Sequence, residues 1–188
     1  VTTLQTKAFQ NTGLTSISIP NTVATIGTEI LRNCRSLEYL YYDSNAPLTG
    51  TTILESAGAN TENGLTVVFG DSVTTIPANF ARYNNVSYNP RITAVSWKDG
   101  TSVGEQAFYK CTALKVILVR AVSGTSAPTS TIGNSAFADV TATVFASSDI
   151  SDLSLTQKIY PVSEEEAGQI VGLLDSLDMS EYEEQEPG

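Results

Sequence analysis

A motif of apolar residues returns at intervals of 22 to 29 residues, and this recurrence limits the fold more than any other feature of the chain. The fragment "ISIPNTVATIG" (17–27) aligns without gaps with "VVFGDSVTTIP" (67–77), placing Ile19, Val23 and Ile26 on Phe69, Val73 and Ile76. A small-plus-apolar pair comes four or five residues after the isoleucine position. Along the chain it reads Ala8-Phe9, Ile30-Leu31, Ala57-Gly58, Asn79-Phe80, Ala107-Phe108 and Ala136-Phe137. Three positions later stand Thr12, Cys34, Thr61, Tyr83, Cys111 and Val140. An apolar residue follows (Leu14, Leu37, Val86, Leu114), then a short alternating run such as "TSISI", "EYLYY" or "KVILV".

Each period is one small supersecondary unit. Alternation with β-branched residues predicts a strand, with Ile17 and Ile19 on one face and Ser16 and Ser18 on the other. Pro20 has no amide to give a continuing ladder, so it ends that strand. The "IG..AF..C" stretch is too short for a full helix and predicts one or two turns of α or 3-10 structure. No unit buries its apolar set alone. Stacking makes one continuous core, each strand pairing with the strand of the next unit.

These residues resemble a known family. The stretch "LTSISIPNTVATIGTEILRNCRSLEYL" looks like the BspA-like class of leucine-rich repeats, with Leu/Ile-x-Ile-Pro, Ile-Gly, Ala-Phe and Cys recurring in order. The likeness covers roughly 1–146. It is strong at 14–40 and 103–119 and weaker at 46–66, where Gly58 stands in place of the phenylalanine. Units longer than the family period imply loops inserted near 43–46, 87–92 and 120–130. The resemblance implies an α/β fold: a right-handed leucine-rich-repeat solenoid of about six turns, a strand plus a short helical or 3-10 turn in each.

Cys34 and Cys111 occupy the same phase, three units apart. At about 4.8 Å per unit they are separated by about 14 Å, beyond disulfide reach. Two cysteines without a histidine make no metal site. Both are read as small apolar core fillers in preference to reactive thiols.

Residues 1–4, "VTTL", match 23–26, "VATI", so the chain starts partway through a unit. A piece cut from a longer array is favoured over an end covered by its own loop. At the other end, 147–162 are expected to form an irregular cap. Residues 163–179, "SEEEAGQIVGLLDSLDM", read as an acidic amphipathic helix. Ser163 and Glu166 form a capping box, and Ile170, Leu173, Leu174 and Leu177 make the apolar stripe. It is read as docked over the last unit or as a linker, with a partner-binding helix as the sharper alternative. Residues 180–188 are expected to be a disordered acidic tail.

The net charge of −10 is almost entirely C-terminal. Residues 163–188 hold nine acids and no base, whereas 1–162 hold eleven acids against ten bases. No basic stripe exists for phosphate contacts, which argues against nucleic acid. No stretch approaches the length of apolar sequence that a membrane helix needs, so no membrane insertion is expected. Without histidine, Ser–His–Asp and Cys–His catalysis and His-ligated zinc are excluded. Asp43, Glu55, Asp71, Asp99 and Glu105 are scattered among turns and loops, and nothing sets two of them across a cleft. "NVS" at Asn85–Ser87 is a glycosylation sequon, meaningful only in an exporting eukaryote. No enzyme activity and no cofactor or metal are expected.

The surface signal lies in the strand residues that point away from the core. One row is Ser16, Tyr39, Thr66, Ala94 and Val116; the other is Ser18, Tyr41, Val68, Ser96 and Leu118. A solvated sheet face is more polar than this. The candidate ligand-binding residues are Tyr39, Tyr41, Val68, Ser96, Val116 and Leu118. The competing reading is that such residues simply favour strands, or that a loop covers the face. The resemblance implies a secreted or cell-surface binding or adhesion module recognising a protein or glycan of a host or neighbouring cell. A passive spacer within a larger surface protein is the alternative.

Overall fold

The computed structural model describes residues 1–48, 53–98, 100–120, 130–146 and 183–184. The main sheet contains six parallel strands: β2 (Ser16–Ile19), β4 (Tyr39–Tyr42), β5 (Leu65–Phe69), β7 (Ile92–Lys98), β9 (Val116–Arg120) and β10 (Thr143–Ala146). Each pairs with the strand of the following repeat, so the polypeptide climbs one strand per coil. A second, narrower ladder follows the Ile-Gly positions. It consists of β1 (Thr3–Leu4) on β3 (Thr25–Ile26) and β6 (Thr75–Ile76) on β8 (Ser102–Val103), extended by bridges from Ile26 to Leu48 and from Val103 to Ile132. The architecture is a parallel β-solenoid. A short segment β11 (Glu183–Glu184) joins the main sheet antiparallel to β10, with Ala146 opposite Glu183 and Phe145 opposite Glu184. The expected cap at 147–162 and acidic helix at 163–179 lie outside the described residues, and of the expected tail only β11 lies within them.

The inward row Ile17–Leu40–Val67–Val95–Ile117–Val144 runs in register through the stack. Beside it run Ile19, Tyr42, Phe69, Trp97 and Val119. Both rows meet the side chains of the narrower ladder and of the connecting turns in one core cluster, with Ile17 packed at its margin. No coil closes a core alone, and the shared interior is what holds the stack.

The expected helical turns are corrected. Among the described residues the only helix is a single 3-10 turn, Val86–Tyr88. The reason lies in how the amides are spent. In the first coil Ala8, Gln10 and Thr12 donate to the carbonyls three residues back. The alternate amides of Lys7, Phe9 and Asn11 donate to Thr28, Ile30 and Arg32 in the next coil, each at 2.9 Å. The same alternation recurs at Gln106, Phe108 and Lys110, which donate to Asn134, Ala136 and Ala138. A helix needs every amide for itself, so a chain that lends every second one to its neighbour cannot form one. The alternation is set by left-handed residues four apart, such as Lys7 (φ 64°) with Asn11 (59°) and Gln106 (54°) with Lys110 (54°).

The hydrogen bonds also correct two pair assignments. Leu31 N donates to Ile53 O and Asn33 N to Glu55 O, as Phe9 and Asn11 donate to Ile30 and Arg32. The third pair is therefore Ile53-Leu54, four residues before Ala57-Gly58. In the fourth coil Asn79 N bonds Glu105 O and Ala81 N bonds Ala107 O. The fourth pair is thus Phe80-Ala81, with the large and small residues exchanged.

Between these two coils the ladder is broken and patched. Leu54 N finds Tyr83 Oη at 2.8 Å, and Ser56 N finds Tyr88 O at 2.9 Å. Asn89 Nδ2 donates to the carbonyls of Tyr109 and Lys110, while its Oδ1 accepts from Tyr83 N. The β5–β7 register shifts by one residue at Leu65/Thr66 within the same seam. Val86, the apolar residue that follows the pair in this repeat, is half exposed there.

Candidate functional site

Both expected outward rows form. Ser16, Tyr39, Thr66, Ala94 and Val116 are consecutive partners across the strands, as are Ser18, Tyr41, Val68, Ser96 and Leu118. Strand alternation and parallel pairing suffice to place them there. All six candidate ligand-binding residues therefore share one face, Val116 with Tyr39 in the first row and the other four in the second.

Their exposure divides the face in two. At the β2 end Ser16 and Ser18 are exposed, and Tyr39 and Tyr41 are half-buried. Over β5, β7 and β9 the face is closed: Thr66, Ala94, Ser96 and Leu118 are 0% exposed, Val116 3% and Val68 4%. None of these six belongs to the core cluster on the other side of the sheet. The central strands are thus buried on both faces, as their near-continuous apolar sequences suit. Thr66 Oγ1 is buried there without a hydrogen-bond partner.

Two of the acids scattered in the sequence, Asp43 and Glu55, are occupied structurally. Asp43 accepts from Ser72 N at 2.8 Å and from Ser72 Oγ at 3.1 Å. Glu55 pairs with Arg32 at 3.1 Å, and Arg32 also reaches Glu29, which takes Lys7 from the first coil. These ion pairs run along the turn side and link successive coils.

Among the described residues no group of three His, Cys, Asp or Glu side chains is placed to hold a metal, and no helix is long and apolar enough to cross a membrane. A shallow depression of about 310 Å³ is lined by Ser44, Asn45, Ala46, Leu48, Thr74 and Pro77. Two of its polar side chains are already engaged, Asn45 with Thr74 and the Ser72 carbonyl, and Ser44 with Val23 O.

Cys34 and Cys111 are free and buried. Each thiol faces the carbonyl of the preceding coil's pair residue: Cys34 Sγ lies 3.0 Å from Phe9 O, and Cys111 Sγ 4.0 Å from Ala81 O. Burial pushes the Cys111 thiol up to about 12, which keeps it protonated and unreactive at neutral pH. Asn85 of the sequon is exposed, and its side chain accepts from Ser87 N at the start of the 3-10 turn.

The comparisons with known proteins agree with this architecture. A family model described as BspA type leucine rich repeat region matches in six copies, over residues 1–89 and 82–164. No curated protein and no solved structure gives a match.

Proposed function

Because this chain belongs to the BspA type leucine-rich repeat family, we propose that it is a non-catalytic binding module. It is read as acting outside the cell or at its surface, on a protein or glycan of a host or neighbouring cell. Six matched copies and six parallel strands are read as six turns of the coil. The observation that carries the binding reading is the β2 end of the outward face. There Tyr39 and Tyr41 are half-buried side by side across from the exposed Ser16 and Ser18. Paired tyrosines with a polar margin present aromatic area, a composition enriched in protein contacts and suited to stacking on sugar rings. Catalysis finds no support, since histidine is absent from the sequence and Asp43 and Glu55 are held in structural bonds.

The test is a screen of glycans and surface proteins against the full chain, repeated with Tyr39→Ser and Tyr41→Ser together. Loss of a hit at unchanged melting temperature supports the site, and an unchanged hit moves binding elsewhere. The spacer reading is favoured by one observation: Val68, Ser96, Val116 and Leu118 are buried and have no surface to offer a ligand. An empty screen supports it.

A further inference from the structure

Residues 84–88 are consecutive exposed residues in the broken seam between the third and fourth coils. Apart from Val1, Val86 and Tyr88 are the only exposed large apolar side chains among the described residues, each at 48%. The sequon Asn85-Val86-Ser87 lies among them, and no other Asn-x-Ser/Thr sequence occurs in the chain. Three other asparagines spend their Nδ2 groups on a neighbouring coil. Asn21 donates to Ser72, Asn33 to Asn11, and Asn89 to the carbonyls of Tyr109 and Lys110. Asn85 differs. Its Oδ1 accepts from Ser87 N at 3.1 Å, which fixes the carboxamide, while its Nδ2 has no hydrogen-bond partner among the described residues. Tyr88 N donates to Asn85 O at 3.0 Å. Residues three apart in 3-10 structure eclipse one another, so Asn85 and Tyr88 share one side of the turn.

We propose that Asn85 is an acceptor for an N-linked oligosaccharide, whose first sugars cover Val86 and pack on the Tyr88 ring. The donor class is a polyprenyl-diphosphate-linked oligosaccharide. Asn85 Nδ2 bonds to the sugar C1 as the C1–O bond to the diphosphate breaks; the polyprenyl diphosphate leaves with the electron pair, and one Nδ2 proton is released. The sugar supplies what the patch lacks: C–H faces for the aromatic ring and hydroxyls for water. The site belongs to the turn side of the coil, where Ser56 N donates to Tyr88 O, so an attached glycan leaves the outward residues Tyr39 and Tyr41 of β4 uncovered. This inference rests on the reading of the chain as exported, since the donor is met on the export route.

The experiment takes the full chain from its own cells, separates surface and secreted protein from cytosolic protein, and treats each with peptide N-glycosidase in heavy-oxygen water. Mass spectrometry then reads the tryptic peptide Tyr83–Arg91, which ends at the arginines on either side of the loop. The expected result is heavy-oxygen aspartate at position 85 in most exported molecules, lost in Ser87→Ala and kept in Ser87→Thr. Exported protein that carries bare Asn85 overturns this inference alone, and protein confined to the cytosol overturns the export reading with it. Packing on the ring has its own readout. Enzymatic removal of the glycan is expected to lower the melting temperature of the native chain more than that of Tyr88→Ser, although both undergo the same conversion at position 85. Equal shifts overturn the contact with Tyr88.

Discussion

Phe108 and Phe137, from adjacent coils, stack with ring centroids 5.2 Å apart and planes inclined by 11°. Phe80 joins them from the other member of its pair, 6.2 Å from Phe108, and Phe69 fills the space beside it at 5.0 Å. The aromatic column survives an exchanged pair because the core recruits a ring from the strand side. Phe108→Ala is expected to cost about 3–5 kcal/mol. Phe9→Ala is expected to cost less, because Phe9 is only half-buried at the margin of the core. Urea unfolding of the two variants measures the difference, and equal losses would count against a shared column.

Two hydroxyl deletions are expected to act in opposite directions. Tyr83 Oη is the acceptor for the buried Leu54 amide, so Tyr83→Phe strands that amide and should lose about 1–3 kcal/mol. Thr66 Oγ1 is buried with no partner, and Thr66→Val, which keeps the branched shape, should gain about 1 kcal/mol. Thermal melts of the pair decide both signs.

Gly104 lies where the next atom belongs to the coil below: a Cβ there would come within 2.4 Å of Ala78 N. Gly27 and Gly133 are placed alike, against Thr6 and Glu105. Gly104→Ala is therefore expected to lose about 1–3 kcal/mol or to prevent folding. Gln106, two residues on, holds φ at 54°, a conformation that costs a residue with a side chain about 1 kcal/mol. Gln106→Gly should raise the melting temperature, and a fall would contradict the left-handed geometry.

Stability is expected to fall as pH rises through about 9 and above. Burial lifts Cys111 to about 12, and it lifts Tyr42 to about 12 as well, with the neighbouring Ser44 hydroxyl offsetting part of the effect. In this range the unfolded chain has released protons that the folded chain still holds, so each unit of pH favours unfolding. Melting temperatures from pH 8 to 11 should decline, less steeply in Tyr42→Phe. A flat profile would contradict the burial of both groups.

Much of the architecture was legible before any coordinates. The alternation of Tyr39 through Tyr42 and of Val116 through Val119 set the strands and both outward rows, because a period of two admits only one assignment of faces. The burial of the cysteines also followed, since their shared phase put them in the core. The third and fourth pairs were misplaced because the small-then-apolar rule ignores backbone bonding. Ile53-Leu54 resembles Ile30-Leu31 in full, and that likeness was the available signal. The helical turns failed for a nonlocal reason: local spacing does not reveal that Phe108 N is committed to Ala136 O in another coil. The closure of the outward face over Thr66 and Ser96 was weighed only as a competing reading, because it is a property of what lies above the strands.

The central claim is that coils are joined by alternate amides reaching from one turn segment to the next. The most direct measurement is the through-hydrogen-bond scalar coupling between backbone nitrogens and carbonyl carbons by NMR. The account predicts couplings from Gln106, Phe108 and Lys110 nitrogens to the carbonyls of Asn134, Ala136 and Ala138. Couplings from Lys110 to Gln106, four residues back along the same segment, would show a helix in place of the shared ladder and contradict it.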